Sequence, residues 1–291
     1  MNDAAVSPGA FRLGCALWAH PGWVGPVYPE RTPQRAQLEQ YVKRFTAVEG
    51  NSIFYALPST ETLQRWHEAM PPGFRLLPKL PRDLTHEGPL CARPELLALV
   101  LSRLTALGEH LGPVFLQLPP GYGPLLFDDL ARFLDAWPGD APPLLVELRH
   151  LDWFAPDVAP RLYELLRERG VGRVILDTRP IYAFGDDPQR DSPRKKPALP
   201  VPVEPPASRI MLRFVGHPER ERNERWLPRW AELIDGWLRE GRDVFAFCHC
   251  PVEDHSPFLV RRLQQLLEQR GAPVPALPWD GLNEGRQTRL F

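Results

Sequence analysis

Glu147 and Arg149 stand two residues apart in the run LLVELRH, which begins at Leu144. In an extended strand Leu145, Glu147 and Arg149 share one face, and Val146 and Leu148 share the other. If helices cover the outside of such a strand, two charges on the covered face would be stripped of water at high cost. Both should therefore face an inner, polar space near the end of the strand. The pattern repeats along the chain. Glu49 and Asn51 share a face in AVEGNS, Lys79 lies near the end of FRLLPKL, and Gln117 lies near the end of PVFLQLP. Asp177 and Arg179 close RVILDTR, Arg213 comes late in RIMLRFVG, and His249 comes late in VFAFCHC. Every run after the first carries a polar or charged residue at or near its C-terminal end, and the beginnings are mostly apolar.

Such a constellation suits acid–base chemistry on an anion. Glu49, Lys79, Glu147 and Asp177 are the candidate catalytic groups, because carboxylates and an amine close together shift one another's pKa and can exchange protons. Arg149, Arg179 and Arg213 are candidate clamps, since guanidinium forks fit phosphate or carboxylate bidentately. Asn51, Gln117 and His249 add donors and acceptors. Aromatic residues follow the first, second and fifth runs, and Trp18 and Tyr55 are the rings expected to touch a substrate by stacking. No metal and no other cofactor is expected. Glu49, Glu147, Asp177 and His249 could supply the ligands of a divalent ion, with His20 and His86 able to join from loops, but nearby cations compete for the same carboxylates. Cys248 and Cys250 share the face opposite His249 and read as small buried residues; no second Cys pair completes a zinc site. No Gly-x-Ser-x-Gly, Walker loop or His-Glu-x-x-His is present, so covalent serine, nucleotide-loop and zinc-protease mechanisms have no support.

Eight short apolar runs position these residues. They begin at Arg12, Ala47, Phe74, Pro113, Leu144, Arg173, Arg209 and Val244, spaced 27 to 39 residues apart, as βα units require. Between them lie helical patterns such as PQRAQLEQYVKRF, STETLQRWHEAM, RPELLALVLSRLTALGEHL and DVAPRLYELLRERG. Ser59 and Asp157 are the expected N-caps. Thr62 stands where a capping box would place Glu or Gln. Eight strands alternating with helices give the arithmetic of a (β/α)8 TIM barrel, whose active sites lie at the C-terminal mouth. The competing open sheet usually carries a Gly-rich turn after its first strand, and none is present here. The connection Pro180–Ser208 is too rich in proline for a long helix, so strands six and seven should be joined by an irregular, largely extended segment. The expected organisation is a tail over 1–11, one barrel domain over 12–271, and a Pro-rich tail over 272–291.

Composition narrows the class. Lys+Arg number 35 and Asp+Glu 36, which excludes a basic nucleic-acid coat while leaving local patches open. No run of about 18 apolar residues spans a membrane, and the first residues lack the pattern of a secretory leader. Four Cys in a chain of 291 residues fit a reduced, cytoplasmic protein.

Several segments resemble the YecE-like family of uncharacterised proteins. They are Leu17–Trp23 (LWAHPGW), Phe45–Pro58 (FTAVEGNSIFYALP), Phe74–Pro81 with Thr85-His86, Leu116–Pro119, Val146–His150 and Ile175–Pro180. The stretch Arg194–Pro197 (RKKP) resembles the YecE branch itself. The resemblance runs from about Leu13 onward and implies a TIM barrel of no established reaction. The broader family often has Gly-Trp near the first strand and Asn-Asn at the eighth, where this chain has Leu17-Trp18 and Cys248-His249-Cys250.

The leading expectation is an enzyme acting through the barrel mouth on an anionic, phosphate-bearing substrate, a class that includes nucleic acid; the sequence assigns no reaction. The alternative is a non-catalytic ligand- or DNA-binding protein. The segment Gln287-Thr288-Arg289-Leu290-Phe291 resembles the Gln-x-x-Leu-Phe core of peptides that dock on the bacterial sliding clamp, with Thr288 where Leu is usual. Gln287, Leu290 and Phe291 would be its anchors.

Overall fold

The computed structural model describes residues 7–192 and 195–280. Eight strands follow in chain order: β1 (Phe11–Cys15), β2 (Ala47–Gly50), β3 (Arg75–Pro78), β4 (Val114–Gln117), β5 (Leu144–Glu147), β6 (Gly172–Asp177), β7 (Arg209–Val215) and β8 (Asp243–His249). Helices α1 (Gln37–Tyr41), α2 (Asn51–Tyr55), α3 (Thr60–Ala69), α4 (Arg82–Thr85), α5 (Pro94–Leu104), α6 (Phe127–Asp135), α7 (Ala159–Glu168), α8 (Leu227–Arg239) and α9 (Ser256–Gln269) lie between and after them. The strand order is β3-β2-β1-β8-β7-β6-β5-β4. Its two ends, β3 and β4, meet through the parallel bridges Leu76↔Leu111 and Lys79↔Phe115. This is a (β/α)8 barrel, as the eight runs lead one to expect.

By its internal contacts the chain divides into two compact units. The first comprises Met1–Val48, Asp177–Ala198 and Leu212–Phe291, and the second Glu49–Leu176 and Leu199–Met211.

In the first unit β1 pairs with β8 in continuous parallel register, Phe11↔Val244 through Cys15↔Cys248. The Tyr41 hydroxyl accepts from the Cys15 amide at 2.6 Å and donates to the Ala47 carbonyl at 2.8 Å. Any Cβ at Gly14 would meet that hydroxyl at 2.5 Å and the Ala47 carbonyl oxygen at 1.8 Å, so only glycine fits. Helix α8 buries Trp230, Ile234 and Trp237, and α9 buries Leu259, Leu263 and Leu267, a spacing that sets one apolar stripe on each helix. The Pro-rich tail does not hang free as far as Asp280. Trp279 is buried and packs edge-on to Phe45, 5.5 Å between ring centres. Gln287, Leu290 and Phe291 lie outside the described residues.

The connection after β6 keeps to its expectation among the described residues. After a 3-10 turn at Arg179–Ile181 it contains no helix. Side chains hold its first part in place of a helical ladder. Thr178 Oγ1 donates to the Pro197 carbonyl at 2.8 Å, and Gln189 Oε1 accepts from the Lys196 amide at 2.6 Å.

In the second unit β4 and β5 run in unbroken register from Val114↔Leu144 to Gln117↔Glu147. The Ser59 hydroxyl caps α3 by accepting from the Thr62 amide at 3.3 Å. Three local expectations change. Asn51 does not extend the second strand; it starts α2, because Gly50 turns the backbone (φ −80°, ψ 56°). Asp157 does not cap α7, which starts two residues later after a turn at Val158, with Pro160 in its first turn. The long pattern beginning at Arg93 stays α-helical only to Leu104 and ends in a tighter turn through Gly108, whose φ of 51° suits glycine.

Candidate functional site

The second unit gathers polar side chains at the C-terminal ends of β2, β3, β4 and β5. Glu49, next to last in β2, is 1% exposed and accepts from Asn51 Nδ2 at 2.8 Å. The turn that displaces Asn51 from the strand thus aims its amide at Glu49. Lys79 directly follows β3, and its ammonium donates to Gln117 Oε1 at 2.7 Å while lying 3.7 Å from the centre of the Phe54 ring. Gln117 and Glu147 are register partners at the ends of β4 and β5, so their side chains leave the sheet on the same face. Glu147 is 1% exposed and accepts from Arg149 Nε at 2.7 Å, with the Arg149 side chain 12% exposed. Backbone packing holds the tips of β2 and β3 close. A Cβ at Gly50 would lie 2.9 Å from Leu76 Cδ2 and 3.1 Å from Pro78 Cα.

His86, just past α4, belongs with this cluster. In sequence it is a loop histidine of the Thr85-His86 pair that could join a metal site, with no place assigned in the charged cluster. Its ring packs edge-on to Phe54 at 5.0 Å, and Nδ1 lies 2.7 Å from Thr85 Oγ1. Thr85 Oγ1 also lies 3.2 Å from the Pro81 carbonyl. If the single hydroxyl proton goes to that carbonyl, Nδ1 must donate, and Nε2 is left as an acceptor. Burial, then the positive charges of Lys79, Arg149 and Arg82, hold the imidazole pKa down at about 4. At neutral pH the ring is uncharged beside these three cations. Tyr55 stands at the edge of the group, edge-on to Phe54 at 5.0 Å and 57% exposed, where a ring could stack on it.

Residues expected at the site that fall in the first unit are arranged differently from one another. Asp177, the last residue of β6, is fully buried. Its carboxylate accepts from Arg179 Nε at 2.9 Å, from Arg179 Nη2 at 2.8 Å and from Trp230 Nε1 at 2.7 Å. Trp230 belongs to α8, so the carboxylate turns toward the helix layer, not toward an inner face as strand parity suggested. Both carboxylate oxygens of Asp177 are thus engaged, by Arg179 and by Trp230. Arg213 on β7 and His249 at the end of β8 are buried. The Trp18 carbonyl accepts from the Tyr28 hydroxyl at 2.7 Å, and Trp18 itself is half-buried. Trp23, Tyr28 and Trp153 are buried.

A compact group of metal-binding type among the described residues is Asp186, His217 and Glu219, in the first unit. It includes none of the strand-end carboxylates. His217 Nδ1 accepts from the Glu219 amide at 3.0 Å, which leaves Nε2 to donate to Asp186 at 3.0 Å. Arg222 donates to Asp186 and to Glu219 at 2.9 Å each. The guanidinium already supplies the positive charge that the carboxylates require.

Fold and strand-end chemistry together define a (β/α)8-barrel protein with buried acids and bases at the ends of its strands. The chain belongs to the family described as protein of unknown function DUF72, whose model matches residues 12–282. It is 34% identical over 273 residues to UPF0759 protein YecE of Escherichia coli K12, covering 91% of this chain and 97% of that protein. Among solved structures, a DUF72 family protein of Enterococcus faecalis V583 superposes with a TM-score of 0.70 at 17% identity, over 89% of this chain and 95% of that one. A DUF72 family protein of Thermotoga maritima MSB8 gives 0.67 at 20% identity, over 89% and 99%. These likenesses establish the barrel. Among the described residues no helix is long and apolar enough to cross a membrane.

Proposed function

We propose that this protein is an enzyme acting on an anionic, phosphate-bearing substrate at the strand ends of the second unit. The observation that carries this reading is the burial of Glu49, Lys79, Gln117 and Glu147, each at most 6% exposed, at the ends of four strands that are consecutive in sequence. Placing such groups out of water is costly, and for a purely structural purpose one buried pair would serve. Lys79 and Arg149 supply the positive charge for the anion, with Arg149 aimed by Glu147. Gln117 orients the Lys79 ammonium. Glu49, held by Asn51, is the group placed to take or give a proton, and neutral His86 offers a hydrogen bond without adding charge. Nucleic acid is one member of the substrate class.

Titration calorimetry with inorganic phosphate, on the wild type and on Lys79→Met, tests the anion site. Micromolar to low-millimolar binding that weakens at least tenfold in the variant is expected. A panel of phosphate mono- and diesters, with Glu49→Gln as control, then tests turnover. Phosphate binding without Glu49-dependent turnover of any ester would instead identify a ligand-binding protein.

A further inference from the structure

A cavity of about 320 Å3 opens in the second unit, lined by Thr85, His86, Pro89, Pro119, Gly121, Tyr122 and neighbouring residues. His86 belongs both to its wall and to the charged cluster, within electrostatic reach of Lys79 and Arg149. The remaining walls are the flat faces of two prolines and a tyrosine. Charge is confined to the His86 side, and on the outer side Leu126 is 41% exposed. The volume stands near the lower limit for small-molecule sites and admits one ring system rather than an extended chain.

The walls are fixed before anything binds. Asp129 of α6 is buried, and its Oδ2 accepts from the Leu90 amide at 2.9 Å and from the Tyr122 hydroxyl at 2.9 Å. One carboxylate oxygen therefore ties the Gly88–Leu90 wall to the Tyr122 wall. Trp153 Nε1 donates to the Tyr122 carbonyl at 2.7 Å from beneath, and the two rings stack 6.4 Å apart. A buried acid that joins two walls of a hollow, and does not fill it, keeps the hollow open.

We propose that this cavity is the specificity pocket for the uncharged ring of a phosphate monoester whose anionic group lies against Lys79 and Arg149. The inference rests on the anion-binding reading above and adds to it the shape of what the anion is attached to. Asp129 is a positioning residue in this scheme.

The test compares inorganic phosphate with phenyl phosphate by calorimetry, on the wild type and on Gly121→Leu. A Cβ at Gly121 meets nothing within 4 Å, so a side chain can be added there without a clash at its first atom. Phenyl phosphate should bind at least about tenfold tighter than phosphate, from burial of one ring face and edge. Gly121→Leu should erase that gain and leave phosphate binding within twofold of wild type. Should Gly121→Leu lower the melting temperature, Leu126→Asp at the exposed rim provides the same comparison by placing a repelling charge there. Equal affinity for the two probes, or a gain that both variants leave intact, overturns the pocket while the anion site stands. No binding of either probe overturns the anion site and the pocket with it.

Discussion

Replacing Glu147 by glutamine separates a binding role from a structural one, because only the binding role predicts a change in phosphate affinity. The Glu147 side chain is 1% exposed and takes its hydrogen bond from Arg149 Nε at 2.7 Å, while Arg149 is 12% exposed. Glutamine keeps the shape and an acceptor oxygen but removes the charge. A hydrogen bond to a charged group is worth about 1.5–3 kcal/mol, and the neutral form about half of that. The expected loss of stability is therefore about 0.7–1.5 kcal/mol, or roughly 1–6 °C in melting temperature for a chain of this size. Complete removal by Glu147→Ala would approach the ~3–5 kcal/mol of a broken buried pair. A phosphate bound at Arg149 must compete with Glu147 for the guanidinium. In Glu147→Gln it displaces a bond weaker by about 0.7–1.5 kcal/mol, which converts to roughly 3- to 12-fold tighter phosphate binding. Thermal denaturation and phosphate titration on one preparation read both effects. A fall in melting temperature above 10 °C with phosphate affinity unchanged would show that Glu147 and Arg149 are a structural pair, and the anion-clamp argument would fail.

Further outcomes follow from the same geometry. His86 is held neutral with a folded pKa of about 4, below the ordinary histidine value, so the unfolded chain binds its proton first as pH falls. Stability contributed by this group is present above about pH 6.5 and is lost as pH drops toward 4; His86→Gln should flatten that part of the urea-midpoint profile. An anion beside His86 raises its pKa, so phosphate binding near pH 5 should take up protons, seen as a buffer-dependent heat that His86→Gln removes. Asp177→Asn, which weakens the bonds to Arg179 and Trp230, should cost about 2–3 kcal/mol in urea unfolding and leave phosphate affinity within twofold; a tenfold loss of affinity would restore Asp177 to the site. Gly50→Ala, whose added methyl crowds Leu76 and Pro78, should destabilise by about 1–3 kcal/mol and weaken phosphate binding together. The peptide Gly285–Phe291 should bind purified bacterial sliding clamp in fluorescence polarisation more tightly than its Leu290→Ala, Phe291→Ala counterpart; equal binding removes the clamp as a partner.

The barrel was legible because eight apolar runs at βα spacing leave few other ways to bury their faces. Strand parity also carried part of the site, since Gln117 and Glu147 end paired strands in register. Parity failed at Asp177. A tryptophan 53 residues away on α8 offers an N–H that satisfies the carboxylate among the helices, and no local pattern announces such a partner. Asn51 reached Glu49 by a turn and not by sharing a strand face, so the pairing was foreseen for a different reason from the one that holds. The cavity was invisible in sequence. Gly121, Tyr122 and Asp129 come from a loop and a helix start, and the bond of Asp129 to the Leu90 amide spans 39 residues.

Where β3 and β4 meet, the pairing is sparse: two bridged positions, in place of the continuous ladder that joins β4 to β5. Lys79 is one of those positions, and its side chain reaches across the same seam to Gln117 on β4. Thinly paired backbone opens more readily than a full ladder, and its amides exchange with solvent sooner. The residue proposed to hold the anion is thus also a stitch across a lightly sewn seam of this sheet. A ligand that draws on the Lys79 ammonium would pull on the seam itself, so its binding should be read in the exchange of amides along the third and fourth strands.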